Sequence, residues 1–262
     1  MALSQDTVQA LAQRLDDCQQ QVRDTTKITD DQPALDWNDA YAIQDALLAR
    51  KLARGARLVG FKAGLTSRAK MQQMGVEAPV FGFLTDDLAL ADGGALRHAG
   101  LIHPKVEPEI AFVLSRPLRG PGCHVAAVLA ATAFVLPGIE VIDSRYRDFK
   151  FDLKSVIADN TSAAGFVVGG TPMPVAGLDL VNAGVVLERN GVPVGFGAGA
   201  AVLGHPAQAV AELANHLGRH GREIPAGCVV LSGGITEAVS VAAGDSVALS
   251  VQGLGRTSLR LI

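Results

Sequence analysis

From residue 58 to the C-terminus the chain is broken into short β-like apolar runs, at 58–63, 106–115, 134–142, 165–168, 185–196, 228–231, 246–251 and 257–262. No other feature limits the fold as much. Apolar, β-branched segments of this length, bounded by Gly, Pro, Asn or Asp, read as strands. Helical patterns interrupt them only at 67–74, 124–132 and 206–220, so strands outnumber helices and do not alternate with them. A doubly wound parallel sheet needs that alternation and is not expected. The run at 185–196 breaks at Asn190-Gly191, a strong hairpin signal because both residues tolerate the positive φ of a tight turn. Gly221 stands where a C-cap would end the last helix.

The first part of the chain has a different texture. Residues 5–23 and 37–54 carry helical periodicity, with Ala40, Ile43, Ala46, Leu47 and Leu48 as an apolar stripe and Asp36 as N-cap. The expected fold class is α+β: a small helical N-terminal region, 1–56, then a mixed β-sheet body, 57–262, the two able to form one continuous domain.

Composition narrows the function. Among 262 residues, 48% are hydrophobic and 29 are glycine, which supports a sizeable core with many tight turns. The net charge is −3 and no basic run occurs, so a nucleic-acid partner is not expected. The longest apolar run, 125–139, is interrupted by Thr132, Pro137 and Gly138 and falls short of the ~20 residues that span a bilayer. No membrane segment is expected. The start, MALSQD, lacks the basic and apolar regions of a secretory signal. Cys18, Cys123 and Cys228 are widely spaced and form no CxxC pair, as in reduced thiols of a cytoplasmic protein.

The chemistry concentrates in HPKVEPEIAFVL, residues 103–114. On a strand, Glu107 and Glu109 share a face with Cα atoms ~7 Å apart, opposite Val106, Ile110 and Phe112. Pro108 removes one ladder donor and suggests an edge or a bulge. Glu140 also lies inside an apolar run, VLPGIEVID. Convergence of three acids demands shared protons, basic side chains such as Lys105 and Arg145, or a cation; hard divalent ions take such oxygen ligands. A solvated sheet face carrying Glu107 and Glu109 is the competing reading.

Lys62 stands alone in the glycine-flanked run VGFKAGLT and could bind a carboxylate or steady an oxyanion, or else reach out to water. The polar cluster Asp159, Asn160 and Ser162 could cap a turn or meet a ligand. The turn SGGIT, ending at Thr236, could present backbone N–H groups to an anion. There is no G-x-S-x-G, H-E-x-x-H or Walker A sequence. His216 and His220 are expected on the exposed side or end of a helix. His103, the histidine near the acidic pair, fits an active-site or a structural role equally.

Taken in order, GFKAGLTS (60–67), MGVEAPVFG (74–82), HPKVEPEIAFVL (103–114), EVIDSRY (140–146), ADN (158–160) and LGHP (203–206) resemble the hydratase/decarboxylase branch of the fumarylacetoacetate hydrolase superfamily. The resemblance runs from about residue 5 to the C-terminus. It implies a mixed β roll, Mg²⁺ or Mn²⁺ on Glu107, Glu109 and Glu140, an active-site Lys62, and substrate contacts from Leu65, Thr66, Val80, Asp159, Asn160, Ser162 and Thr236. Within the branch, HPK (103–105), IDSRY with FKFDL (149–153), and GPGCH (120–124) are similar to the decarboxylating members. Val80 stands where hydratases tend to have aspartate, and Thr161 where alanine is commoner. The implied activity is metal-dependent decarboxylation of a small 2-oxo dicarboxylic acid, with Leu65, Met74, Val76 and Val80 walling an apolar pocket. The alternatives are hydration of a 2-hydroxydienoate on the same site, or a non-catalytic partner. The implied partners are further copies of the chain and 2-oxopent-4-enoate hydratase.

Overall fold

The computed structural model describes residues 2–67, 71, 72, 76 and 78–262. The N-terminal periodicity forms α1 (Gln5–Gln20), a single turn α2 (Ile28–Asp31) and α3 (Trp37–Ala53). Asp36 caps α3 as expected, in a reciprocal box with Asp39 that satisfies donors left free by the first turn. The buried faces of these helices, including Leu15, Ile28, Ile43 and Leu47, close on Val80, Phe83, Tyr146 and Ile157. The helices and the sheet therefore share an apolar cluster.

The body consists of two sheets. The larger contains β1 (Leu58–Gly64), β2 (Val80–Thr85), β3 (Ala89–Leu90), β5 (Lys105–Leu114), β6 (Thr132–Ile142), β7 (Ala163–Val168) and β10 (Val229–Leu231). Their order is β2-β1-β10-β5-β6-β7-β3, and β11 (Val239–Ser240) adds to β5. The β1/β10 and β3/β7 pairs are parallel and the rest antiparallel. The smaller sheet has the order β4-β13-β12-β8-β9, from β4 (Ala95–Leu96), β8 (Gly184–Arg189), β9 (Val192–Ala198), β12 (Ser246–Val251) and β13 (Gly255–Leu261). The β8/β9 hairpin turns at Asn190-Gly191, both at positive φ, as the dipeptide predicts.

Two further helices flank the sheets, α4 (Val125–Ala131) and α5 (Leu153–Ala158), the latter capped by Asp152. A longer one, α6 (Pro206–Arg219), starts with proline in its first turn and ends just before Gly221, at φ 70. Its face of Ala207, Val210, Leu213 and Leu217 joins a core of Ile110, Phe112, Ile139, Val141, Val185, Leu249 and Leu259 between the sheets.

Some sequence expectations need correcting. Pro108 marks neither an edge nor a bulge: β5 is interior, and Pro108 pairs in register with Ile139. Its absent N–H faces the gap between β10 and β11, where its carbonyl accepts from Ile235 N–H. No β5–β6 hydrogen bond is therefore lost. His216 is not on the exposed side of α6 but packs in a groove against Tyr41 and Phe81, ring centroids 4.4 and 5.2 Å away. Burial pushes its imidazole down to about 4. The helix expected at 67–74 lies partly outside the described residues, as does Met74. Among the described residues no helix is long and apolar enough to cross a membrane.

Candidate active site

Three carboxylates meet on one face of the larger sheet. Glu107 and Glu140 are direct cross-strand partners on β5 and β6, and Glu109 is one step along β5 on the same face. Each offers an oxygen within 4.8 Å of the others. Glu109 and Glu140 are fully buried, and Glu107 is half-buried. Like charges placed directly opposite destabilise a sheet. Two unit charges ~4 Å apart repel by about 4 kcal/mol at an effective dielectric of ~20.

Among the described residues, Lys62, on β1, supplies the compensating charge: its Nζ is 3.0 Å from Glu140 Oε2. In a flat sheet β1 and β6 would be three strand spacings apart, roughly 14 Å. The sheet curls, and the curl closes that gap. Burial opposes the Lys62 ammonium, yet Glu140, Glu107 and Glu109 together hold its pKa above the ordinary lysine value. Burial, reinforced by the neighbouring acids, raises Glu109 well above the usual carboxylate range and lifts Glu140 to about 7.

The other neutralising groups expected from sequence are engaged elsewhere. Lys105 Nζ sits over the Phe149 ring, 4.3 Å from its centroid. Arg145 pairs with buried Asp159 and donates to the carbonyl of Asp143 at 2.8 Å. Among the described residues one ammonium thus faces three carboxylates, and Glu109 Oε1 and Glu140 Oε1 are buried without a hydrogen-bond partner there. Orphaned buried oxygens of this kind are rare in folded proteins. A hard divalent cation offsets both the charge and the missing partners, and an all-carboxylate donor set suits Mg²⁺ or Mn²⁺. The residues fit the metal that the resemblance implied.

The SGGIT turn does present a backbone N–H to an anion. Gly233 N–H donates to Glu109 Oε2 at 2.6 Å. Gly233 has φ +104, and an added Cβ would stand 2.2 Å from Thr66 Oγ1. Only glycine fits there. Thr66 is buried beside it, its carbonyl accepting from Leu203 N–H, and Leu65 adopts a left-handed φ of 56. Val80 shares the face of Lys62: a Cβ on Gly64 would lie 3.3 Å from Val80 Cγ2 and 3.6 Å from Lys62 Nζ. Thr236 is further along the turn, donating to the Glu237 carbonyl and packed over Gly195.

The polar cluster is arranged differently from the expectation that its side chains face substrate. Asp159 is held by Arg145. The Asn160 amide is engaged at both atoms with the Phe83 backbone. Ser162 Oγ is buried without a hydrogen-bond partner among the described residues, leaving it the freest of the three. Asn160, Thr161 and Ser162 all adopt positive φ, at 49, 50 and 63. For non-glycine residues the left-handed region costs roughly 1–2 kcal/mol each. The turn they form sends the Thr161 carbonyl to Lys62 Nζ, 3.2 Å away. Sequence reasoning missed that carbonyl, since a main-chain acceptor has no residue signature. His103 is structural on its main chain, where its N–H donates to Asp143, while its ring packs 5.2 Å from Phe149 with Nε2 buried and unpaired.

A model of the family described as fumarylacetoacetate (FAA) hydrolase C-terminal matches residues 57–262. The chain belongs to this family. It is 54% identical to the 4-oxalocrotonate decarboxylase of Pseudomonas sp. (strain CF600) over 260 residues, covering 99% of this chain and 98% of that relative. It is also 42% identical, over 97% of each chain, to the 2-hydroxyhexa-2,4-dienoate hydratase of Comamonas testosteroni. Its fold superposes with a TM-score of 0.97, at 50% identity, on the 4-oxalocrotonate decarboxylase of Pseudomonas putida G7 complexed with magnesium and adipate. That alignment covers 100% of this chain and 99% of the other.

Proposed function

We propose that this chain is a metal-dependent carboxy-lyase that converts 4-oxalocrotonate, (3E)-2-oxohex-3-enedioate, to 2-hydroxypenta-2,4-dienoate and CO₂. The observation that carries the reading is the set of three glutamates, two of them fully buried, facing Lys62, with Val80 beside the lysine. The full-length likeness to decarboxylases supports it.

The C5–C6 bond breaks and CO₂ leaves. Its electron pair forms the 4,5 double bond, the 3,4 pair moves to 2,3, and charge arrives on the 2-oxygen, which then takes a proton. Glu107, Glu109 and Glu140 would hold a divalent ion, which would supply Lewis-acid stabilisation of that charge, amounting to several kcal/mol. Lys62 is placed to donate a hydrogen bond to the same oxygen, worth ~3 kcal/mol as a preorganised donor. Thr66, Ser162 and Thr236 contribute polar contacts to the substrate, and Leu65, Val76 and Val80 an apolar wall. Loss of a charged carboxylate as neutral CO₂ is favoured by such a wall.

Metal-stripped protein incubated with the substrate releases no CO₂, and added Mg²⁺ or Mn²⁺ restores release. Absence of CO₂ under both conditions, with formation of 4-hydroxy-2-oxopentanoate from 2-hydroxypenta-2,4-dienoate instead, would make the chain a hydratase. The full-length likeness to a hydratase keeps that second reading in view. Val80→Asp tests it from the other side. An acid at this buried position repels the substrate carboxylate, and CO₂ release falls at least about tenfold, the effect of ~1.4 kcal/mol. An unchanged rate removes Val80 from the argument.

We further infer that the chain works in the cytoplasm, as an oligomer and beside the hydratase that takes up its product. The exposed stripe of Val192, Val194 and Phe196 along edge strand β9 supports an assembly surface.

A further inference from the structure

We propose that Asn160 is a positioning residue: it clamps a strained left-handed turn to β2 so that the turn's Thr161 carbonyl holds the Lys62 ammonium in place. The inference rests on the proposed role of Lys62 and deepens it.

Three consecutive non-glycine residues at positive φ persist only where their surroundings over-determine them, and such strain clusters at functional sites. Four contacts do so here. Asn160 Oδ1 accepts from Phe83 N–H at 2.8 Å, and its Nδ2 donates to the Phe83 carbonyl at 3.0 Å. The amide side chain thereby stands in for a neighbouring strand against β2. At the far end of the turn, Ser162 N–H donates to the Asp159 carbonyl at 2.9 Å, and the Ser162 carbonyl accepts from Asp143 N–H at 2.7 Å.

Gly82 makes the close approach possible. A Cβ there would fall 2.6 Å from Thr161 Oγ1 and 2.8 Å from Asn160 Oδ1. Gly82 is also the cross-strand partner of Lys62. One short piece of β2 thus seats both the turn and the lysine. The product of the arrangement is an ammonium fixed between Thr161 O at 3.2 Å and Glu140 Oε2 at 3.0 Å. A lysine side chain has four rotatable bonds and little intrinsic preference for one geometry. Displacement of a catalytic donor by about 1 Å costs on the order of 10²-fold in rate. The strained carbonyl removes that freedom.

The experiment introduces Asn160→Ala and Gly82→Ala separately, each in the native chain and in Lys62→Met. Each alone lowers kcat about 10- to 100-fold while KM stays within about threefold, the pattern of a lost transition-state interaction. Mn²⁺ affinity by calorimetry is unchanged, and a crystal structure of Asn160→Ala shows Lys62 Nζ moved away from the Thr161 carbonyl. In the Lys62→Met background neither change lowers the residual rate further, because both act through the lysine. Losses that multiply in that background, or a parallel fall in Mn²⁺ affinity, mean the turn is merely structural and overturn the proposal. So does an unmoved Lys62. Should either single variant be too unstable to assay, the other, acting on the opposite side of the same contact, decides. Full activity of Lys62→Met alone would instead refute the role given to Lys62 under the proposed function.

Discussion

Glu140→Gln lowers kcat/KM for CO₂ release by about 10³-fold, equivalent to ~4 kcal/mol, within the range of a lost Lewis-acid contribution. Glutamine keeps nearly the same volume, so the effect is electrostatic. The substitution replaces one of three converging carboxylates with a neutral amide and, in the same step, removes the anion 3.0 Å from Lys62. Binding of Mn²⁺ measured by calorimetry weakens in parallel. Retention of both tight Mn²⁺ binding and activity would separate Glu140 from the metal centre. It would leave the burial of this acid in an interior strand without an account.

Arg145→Met destabilises the fold by roughly 3–5 kcal/mol, the cost of breaking a buried ion pair from one side. Arg145 is 2% exposed and Asp159 fully buried, and the guanidinium also serves the carbonyls of Asp143 and Ala163. For a chain of this size the loss lowers Tm by roughly 10 °C. Its pH dependence follows from the sign of the Asp159 shift. Burial already lifts this carboxyl to about 6 with Arg145 in place. Without Arg145 it rises further. A carboxyl whose folded pKa exceeds the unfolded value loses stability as pH climbs from the unfolded value through the folded one. The deficit of the variant is therefore larger at pH 8 than at pH 5 in calorimetric melting. An equal deficit at both would show that Asp159 does not carry the charge.

Much of this arrangement is legible in the chain, for identifiable reasons. Glu107, Glu109 and Glu140 are visible because each interrupts an apolar run, and strand alternation puts the first two on one face. The Asn190-Gly191 hairpin and the Asp36 cap are visible because their chemistry is local. Lys62 is visible by its isolation between glycines. What could not be read depends on weak local signal or on long-range geometry. Strand β2 escaped because Gly82 sits in its middle and Pro79 precedes it, although that glycine is what admits the Asn160 turn. Helix α5 escaped because it is too short to show a period. Arg145 is a candidate counter-charge for the three glutamates in the sequence, and the fold gives it Asp159. Pro108 suggests an edge or a bulge because a missing donor usually implies one; here a loop occupies that side. The curl that brings Lys62 to Glu140 has no signature in either segment.

The insertion of β10 between β1 and β5 has a consequence for how the enzyme comes into being. Gly60–Lys62 pair with Val229–Leu231, while Val229–Leu231 pair in turn with Ala111–Val113. The lysine and the acids thus have no sheet connecting them until a segment near the C-terminus has docked. During synthesis the glutamates emerge, and can pair across β5 and β6, long before β10, which joins β1 to β5, leaves the ribosome. Non-local pairing of this kind is slow to nucleate. A nascent or truncated chain lacking β10 would therefore carry clustered acids with no sheet to bring their counter-charge beside them.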